Sequence, residues 1–189
     1  SLGCIASLLA EDKVVGAVFF TVGLFLVLTR QYDLYTGKIG YVFCGQKYYA
    51  ASLPLVLIGN LAGTAVMFCI SLLSKLSSLR DVAALSVHAK LNAGYLSAFF
   101  MAFLCGVIIY LAVDNFKNNT SDVGKYLGLL FLIPLFVFCG YEHCVADMYY
   151  ILLSNVVTAE SLLFLVIVVL GNSVGSICAK FLETIARKA

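Results

Sequence analysis

The chain has 189 residues, 62% hydrophobic and 12% charged, with a mean hydropathy of +1.03 and a formal net charge of +2. Soluble domains run at roughly 45–50% apolar and about 25% charged residues, so water is excluded as the main solvent for this fold. The small charge excess builds no basic patch or stripe, which excludes nucleic acid as a partner and leaves the lipid bilayer.

The first apolar stretch, residues 2–10, stops at the turn Glu11-Asp12-Lys13. It rises only about 13 Å as a helix, against a hydrocarbon core of roughly 30 Å. No positive charge precedes it, as a signal peptide requires. The expectation is residues 1–10 as the remnant of a first membrane helix whose upstream part lies outside this sequence.

Charge-free runs follow at 14–29, 48–74, 91–113, 126–141 and 161–179. Three are long enough to span. The first and fourth have about 16 residues, about 24 Å of helix, and fall short of a crossing. Each stops at polar residues and then resumes. After 14–29 come Arg30-Gln-Tyr-Asp33-Leu-Tyr-Thr36-Gly37-Lys38 and the apolar stub 39–45, which gives a broken helix over 14–45. After 126–141 come Glu142-His143-Cys-Val-Ala-Asp147 and apolar 148–153, a second broken helix over 126–159. Unpaired backbone is tolerated at membrane depth only where it is buried in protein or lines a wet cavity, and two matching breaks point to a transport site.

Each break is followed by a similar segment, IGNLAGT at 58–64 and LGNSVGS at 170–176. Gly59-Asn60 and Gly171-Asn172 therefore read as an internal repeat with Gly-x-x-x-Gly helix packing. The second repeat is complete as 91–113, 126–159 and 161–180; the first lacks most of its opening helix before 14–45 and 48–74. Three spans per repeat invert the two halves relative to each other. The fold class is thus an all-α membrane protein, one channel domain over 1–189 built as an inverted repeat of three plus three helices. Residues 75–92 suit an interfacial helix and 115–122 a polar loop.

Seven cysteines (Cys4, Cys44, Cys69, Cys105, Cys139, Cys144 and Cys178) fall almost all inside apolar runs. Without a Cys-x-x-Cys pair or a histidine at zinc-finger spacing they suggest no metal site and no cofactor, and read as small buried hydrophobes. Lys38, Lys47, Lys117, Lys125, Lys180, Arg187 and Lys188 fall on one set of loops, and Lys13, Lys75, Arg80 and Lys90 on the other. That bias places the C-terminus in the cytoplasm.

His143, just past a helix that cannot cross alone, is a functional candidate because ionisable groups at membrane depth are costly. The alternative is a neutral histidine that joins helices by hydrogen bonds. Glu142 and Asp147 flank it and would repel anions if free; Glu142 is expected to hydrogen-bond exposed backbone at the break. Thr36 is a candidate for aiming its hydroxyl into the path, with Gly37 allowing a sharp turn. Lys90 either attracts anions to a vestibule or snorkels as an ordinary helix-end lysine.

With GYEHCVADM at the second break, Asp33-Leu34-Tyr35-Thr36 at the first, and the two Gly-Asn pairs, the sequence resembles the formate/nitrite transporter family across nearly its whole length. The resemblance implies an aquaporin-like protomer with the second and fifth of six helices broken, five protomers per assembly and one pore in each. It implies a transporter of a prokaryotic inner (plasma) membrane for small monovalent weak-acid anions (formate, nitrite or hydrosulfide) and protons, and no enzyme. By position it makes His143 the central histidine, Thr36 the loop threonine and Lys90 the vestibule lysine. Phe20, Leu24, Leu34, Tyr35, Ile109 and Phe136 become the constrictions, with Asp33, Glu142 and Asp147 beside the path. Three departures, Asp147 for asparagine, Gly106 for a pore-lining asparagine, and Lys38, are more like the hydrosulfide-channel branch. Two readings of other classes stand beside this one: a membrane enzyme using Cys139, Cys144 and His143, and a scaffold without a pore.

Overall fold

The computed structural model describes residues 1–10, 12–43 and 47–187, and every regular element among them is helical. Sequence expectations for Glu11, Cys44, Gly45 and Lys188 lie outside the described residues. In chain order the helices are α1 (Leu2–Leu9), α2 (Lys13–Thr29), α3 (Tyr35–Ile39), α4 (Lys47–Leu72), α5 (Arg80–Asn92), α6 (Tyr95–Asn118), α7 (Asp122–Phe138), α8 (Cys144–Ser154) and α9 (Ala159–Ala186). A 3-10 turn, Lys75–Leu79, leads into α5. By length and apolar composition, α4, α6 and α9 are each sufficient to cross a membrane. Their outward faces carry Leu55, Ile58 and Val66 on α4 and Leu162, Val166 and Leu170 on α9, an apolar surface that belongs in lipid.

Side chains at the helix starts take up backbone N–H groups that would otherwise lack partners. Asp12 accepts from Val14 and Val15 N–H at 2.7 and 2.9 Å to open α2. Ser121 accepts from Gly124 N–H at 3.2 Å to open α7, and Thr158 with Ser161 forms a capping box on α9. These caps displace several boundaries expected from charge-free runs. The helix expected at 91–113 starts at Tyr95 because Gly94 turns the chain at φ 83°. It continues to Asn118 through polar residues, with Asn118 donating to Asp114 across one turn at 2.9 Å, so the expected loop at 115–122 shrinks to 119–121. The helix of the second broken segment begins at Asp122, not 126, and its second half ends at Ser154. The stub expected from Ile39 instead begins at Tyr35 and ends at Ile39, followed by turn. The spans expected at 48–74 and 161–180 become Lys47–Leu72 and Ala159–Ala186.

The order helix, broken helix, helix occurs twice, with α4 corresponding to α9 and the α2–α3 pair to α7–α8. Both first halves end in the same backbone motif. Tyr32 N–H bonds Val27 C=O at 2.8 Å and Tyr141 N–H bonds Phe136 C=O at 3.0 Å. The residue between takes positive φ in both cases, Gln31 at 58° and Gly140 at 72°. The sharp turn at the first break therefore falls at Gln31; Gly37, expected to provide it, is an ordinary residue of α3.

The most extensive helix contact is α6 with α9. A Cβ at Gly175 would stand 2.0 Å from the Phe103 carbonyl oxygen, one at Gly171 2.6 Å from Ala102 Cβ, and one at Gly106 2.3 Å from the Asn172 carbonyl oxygen. Backbones this close leave no room for side chains. Gly59 has no such neighbour: nothing lies within 4 Å of a Cβ built there, so the helix-packing reading holds for the second Gly-Asn pair and not for the first among the described residues.

Candidate functional site

The two asparagines of the repeat hold the two breaks. Asn172, fully buried, accepts from Cys144 N–H at 2.9 Å and donates to the carbonyls of Glu142 and Ala102, each at 2.8 Å. Asn60 accepts from Tyr35 N–H at 2.9 Å and donates to the Asp33 carbonyl at 2.9 Å. Each amide thus bridges the residues before and after one position, Leu34 in the first break and His143 in the second. This satisfies backbone groups that lipid would leave without partners. The sequence pattern assigned these asparagines a packing role alone; their recurrence in the helix after each break was the available signal for clamping. The Glu142 side chain, expected at this task, is engaged elsewhere.

Three cavities lie in series along the two breaks. The first, about 440 Å³, is lined by Gln31, Asp33, Leu34, Lys38, Phe116 and Lys117 among others. The second, about 90 Å³, is lined by Phe20, Leu24, Val27, Leu34, Ile109, Ile133, Phe136 and His143. The third, about 490 Å³, includes Lys13, Lys90, Phe136, Glu142, His143 and Asp147. Neighbouring cavities share walls: Leu24, Val27 and Leu34 between the first and second, Phe20, Phe136, His143 and Ala146 between the second and third. Phe20 and Phe136 meet edge to face with ring centroids 5.3 Å apart, and Phe136 lies 6.0 Å from the His143 ring. The middle chamber is therefore mostly apolar, with the imidazole and Ser1 as its polar lining residues.

Five of the six expected constriction residues, Phe20, Leu24, Leu34, Ile109 and Phe136, line this chamber. Tyr35 does not. Its hydroxyl bonds Ser173 at 2.9 Å, and its ring packs in the core with Leu53, Val87 and Phe164. Gly106 also leaves the wall, since it faces the α9 backbone. Val27 and Ile133 were not singled out from sequence, because one apolar residue in a fully apolar helix resembles its neighbours.

His143 caps α8, its Nδ1 accepting from Ala146 N–H at 3.2 Å. That bond leaves the ring proton on Nε2, which lies 2.9 Å from Thr36 Oγ1 and donates to it. The ring is held neutral and fixed between the two breaks. Thr36 is buried behind it and is on none of the three cavity walls, so the threonine orients the histidine and does not aim into the path.

In the third cavity Lys90 is not a free cation. It donates to Glu142 Oε2 and lies 3.0 Å from Asp147 Oδ1, with its ammonium 5.8 Å from the Tyr150 ring. Burial alone would lower the Lys90 pKa, but Asp147 and then Glu142 outweigh burial and hold it above its ordinary value. At the opposite end Lys38 pairs with Asp33 at 2.5 Å, and Lys117 stands 4.7 Å over the Tyr41 ring. Of the cysteines proposed for thiol chemistry, Cys144 is buried in the core and Cys139 is exposed at the end of α7.

The Formate/nitrite transporter family model matches residues 2–183. The chain belongs to that family. Among formate/nitrite transporters, the formate channel FocB of Escherichia coli K12 is 28% identical over 156 residues, covering 75% of this chain and 54% of the relative. The nitrite transporter NirC of the same strain is 29% identical over 163 residues, 78% of this chain and 58% of the relative. The chain thus spans little more than half the length of these relatives. The formate channel BtFdhC of Bacillus thuringiensis is 27% identical over 182 residues, 86% and 68% of the two chains. Two solved structures share the fold: a pentameric formate channel with formate bound (TM-score 0.76, 21% identity, 100% of this chain and 90% of that one) and an FNT family ion channel (TM-score 0.82, 24% identity, 98% and 84%).

Proposed function

We propose that this chain conducts small monovalent weak-acid anions, of the formate, nitrite and hydrosulfide class, through the cavity series, one path in each protomer of a homopentamer in a bacterial inner membrane. The observation that carries this reading is the small, mostly apolar chamber bounded by Leu24 and Leu34 toward one neighbouring cavity and by Phe20 and Phe136 toward the other, with the His143 imidazole on its wall. A bare anion entering such a space gives up its hydration at a cost of several kcal/mol, whereas the neutral acid crosses far more cheaply. Passage therefore requires a proton at the chamber's edge, taken from water or through His143. The names of the relatives favour formate or nitrite; Asp147, Gly106 and Lys38 favour hydrosulfide. The excess of Lys and Arg on the Lys38 and Lys117 side, shared by the end of α9, directs that mouth and the C-terminus to the cytoplasm.

The test is anion flux into liposomes containing the reconstituted protein, with formate, nitrite and hydrosulfide compared. Rapid uptake of at least one, with sulfate and chloride excluded, is the expected result. No uptake of any of the three overturns the reading.

A further inference from the structure

Asp147 is 1% exposed, and neither of its carboxylate oxygens has a donor in hydrogen-bonding geometry. Lys90 Nζ lies 3.0 Å from Oδ1 as an ion pair outside hydrogen-bonding geometry, and the same ammonium donates to Glu142. The Glu142 and Asp147 carboxyl groups thus meet at one ammonium, Glu142 through Oε2 and Asp147 through Oδ1. Two carboxylates attract each other only when one carries a proton; with both ionised they repel. Two carboxyl groups on one ammonium also leave one negative charge without a partner, in a buried wall where an unpaired charge is expensive.

We propose that Glu142 and Asp147 hold one exchangeable proton between them beside Lys90, and that this carboxyl pair is the acid that neutralises the anion entering from the third cavity. The inference rests on the transport reading above and names its proton donor. Both residues belong to the wall of the third cavity together with His143, Asp147 set behind the surface, so the pair lies beside the space through which an anion approaches the chamber. His143 is a poor source, since taking up a second proton at Nδ1 breaks its bond to Ala146 N–H.

In the step, the carboxyl O–H bond breaks and its electron pair stays on the carboxylate oxygen. The anion takes the proton and leaves as neutral acid for the chamber, and cavity water reprotonates the pair. Protonated, the group of two carboxyls and one ammonium is electrically neutral and admits an anion. Deprotonated, it bears one net negative charge and repels one, so lower pH on that side opens the approach. The other titratable groups around Asp147 are Lys90 on α5, Cys4 on α1, Cys105 on α6, and His143, Cys144 and Tyr150 on its own side, with Lys13 at the cavity mouth. Lys90 stays charged throughout.

The test compares wild type, Asp147→Asn and Glu142→Gln, reconstituted in liposomes, with formate and hydrosulfide, whose conjugate acids differ widely in strength. Flux is measured against pH, and infrared difference spectra between low and high pH read the C=O stretch of a protonated carboxyl. The wild type should rise on acidification by up to about tenfold per pH unit beyond the change in the substrate's own acid fraction, with the same midpoint for both substrates. Either variant leaves one carboxylate paired with Lys90, and should lose both that excess and the infrared band. A band that persists in both variants, or an unchanged pH excess in either well-folded variant, overturns the proposal. Absence of flux in the wild type overturns the transport reading instead, and the band alone then decides whether the proton is held.

Discussion

Removing the amide of Asn172 should unfasten the second break and cost far more than the same change at Asn60. Asn172→Ala deletes three hydrogen bonds in a fully buried place and strands Cys144 N–H and the Glu142 carbonyl without partners, while the Ala102 carbonyl keeps its helical bond within α6. A buried group left unsatisfied costs about 1–3 kcal/mol, and taking the lower half of that range for two groups gives a loss of about 2–4 kcal/mol. Asn60→Ala deletes two bonds, one of them exposed, and water can replace part of what is lost, so about 1–2 kcal/mol is expected. The measurement is thermal unfolding of the detergent-solubilised variants, followed by loss of chymotryptic resistance at Tyr141 in the break. Equal destabilisation by the two variants, or a larger effect at Asn60, would refute the claim that the buried amide fastens the path.

Tyr35→Phe should lose about 1 kcal/mol of stability with the Ser173 bond and leave anion selectivity as in the wild type, because the ring is off the cavity walls; a change in the relative fluxes of formate and acetate would return it to the constriction. His143→Asn keeps a good helix cap but loses the Thr36 contact, so it should fold and assemble while shifting the pH profile of flux; identical flux at every pH removes the imidazole from the mechanism. Gly106→Ala forces a methyl into the 2.3 Å approach to the Asn172 carbonyl, and should destabilise by about 1–3 kcal/mol in the same unfolding assay. Leu34→Ala should widen the wall between the first two cavities and raise acetate flux relative to formate, and an unchanged ratio would show that the narrowing lies elsewhere.

Much of the fold is legible in the sequence because hydrocarbon imposes a minimum helix length, and the runs at 14–29 and 126–141 violate it. The boundaries are less legible because caps and polar turns, not hydropathy, decide them: Ser121 begins a helix among charged residues and Gly94 ends an apparent one. At the site, His143 stood out as a rare ionisable group in apolar surroundings. Thr36 was assigned to the path from local context and Tyr35 by resemblance, but which way each side chain turns depends on partners more than 100 residues away, His143 and Ser173. The threefold meeting of Lys90, Glu142 and Asp147 was out of reach for the same reason. Lys90 comes from a separate helix 52 residues before Glu142, and only folding reveals that the lysine is already claimed.

The matched asparagine bridges make Leu34 and His143 occupants of equivalent positions, one hydrocarbon and one imidazole. A duplicated ancestor with the same residue in both would have presented identical faces to the two compartments and treated traffic from either direction alike. Divergence at this pair of positions contributes to the difference between the two mouths: both amides grip backbone only, so either clamp accepts either side chain, while His143 alone adds the α8 cap and the bond to Thr36. Inhibitors that carry a hydrogen-bonding headgroup should therefore act from the His143 side and fail from the Leu34 side, and exchanging the two residues should reverse the side from which they work.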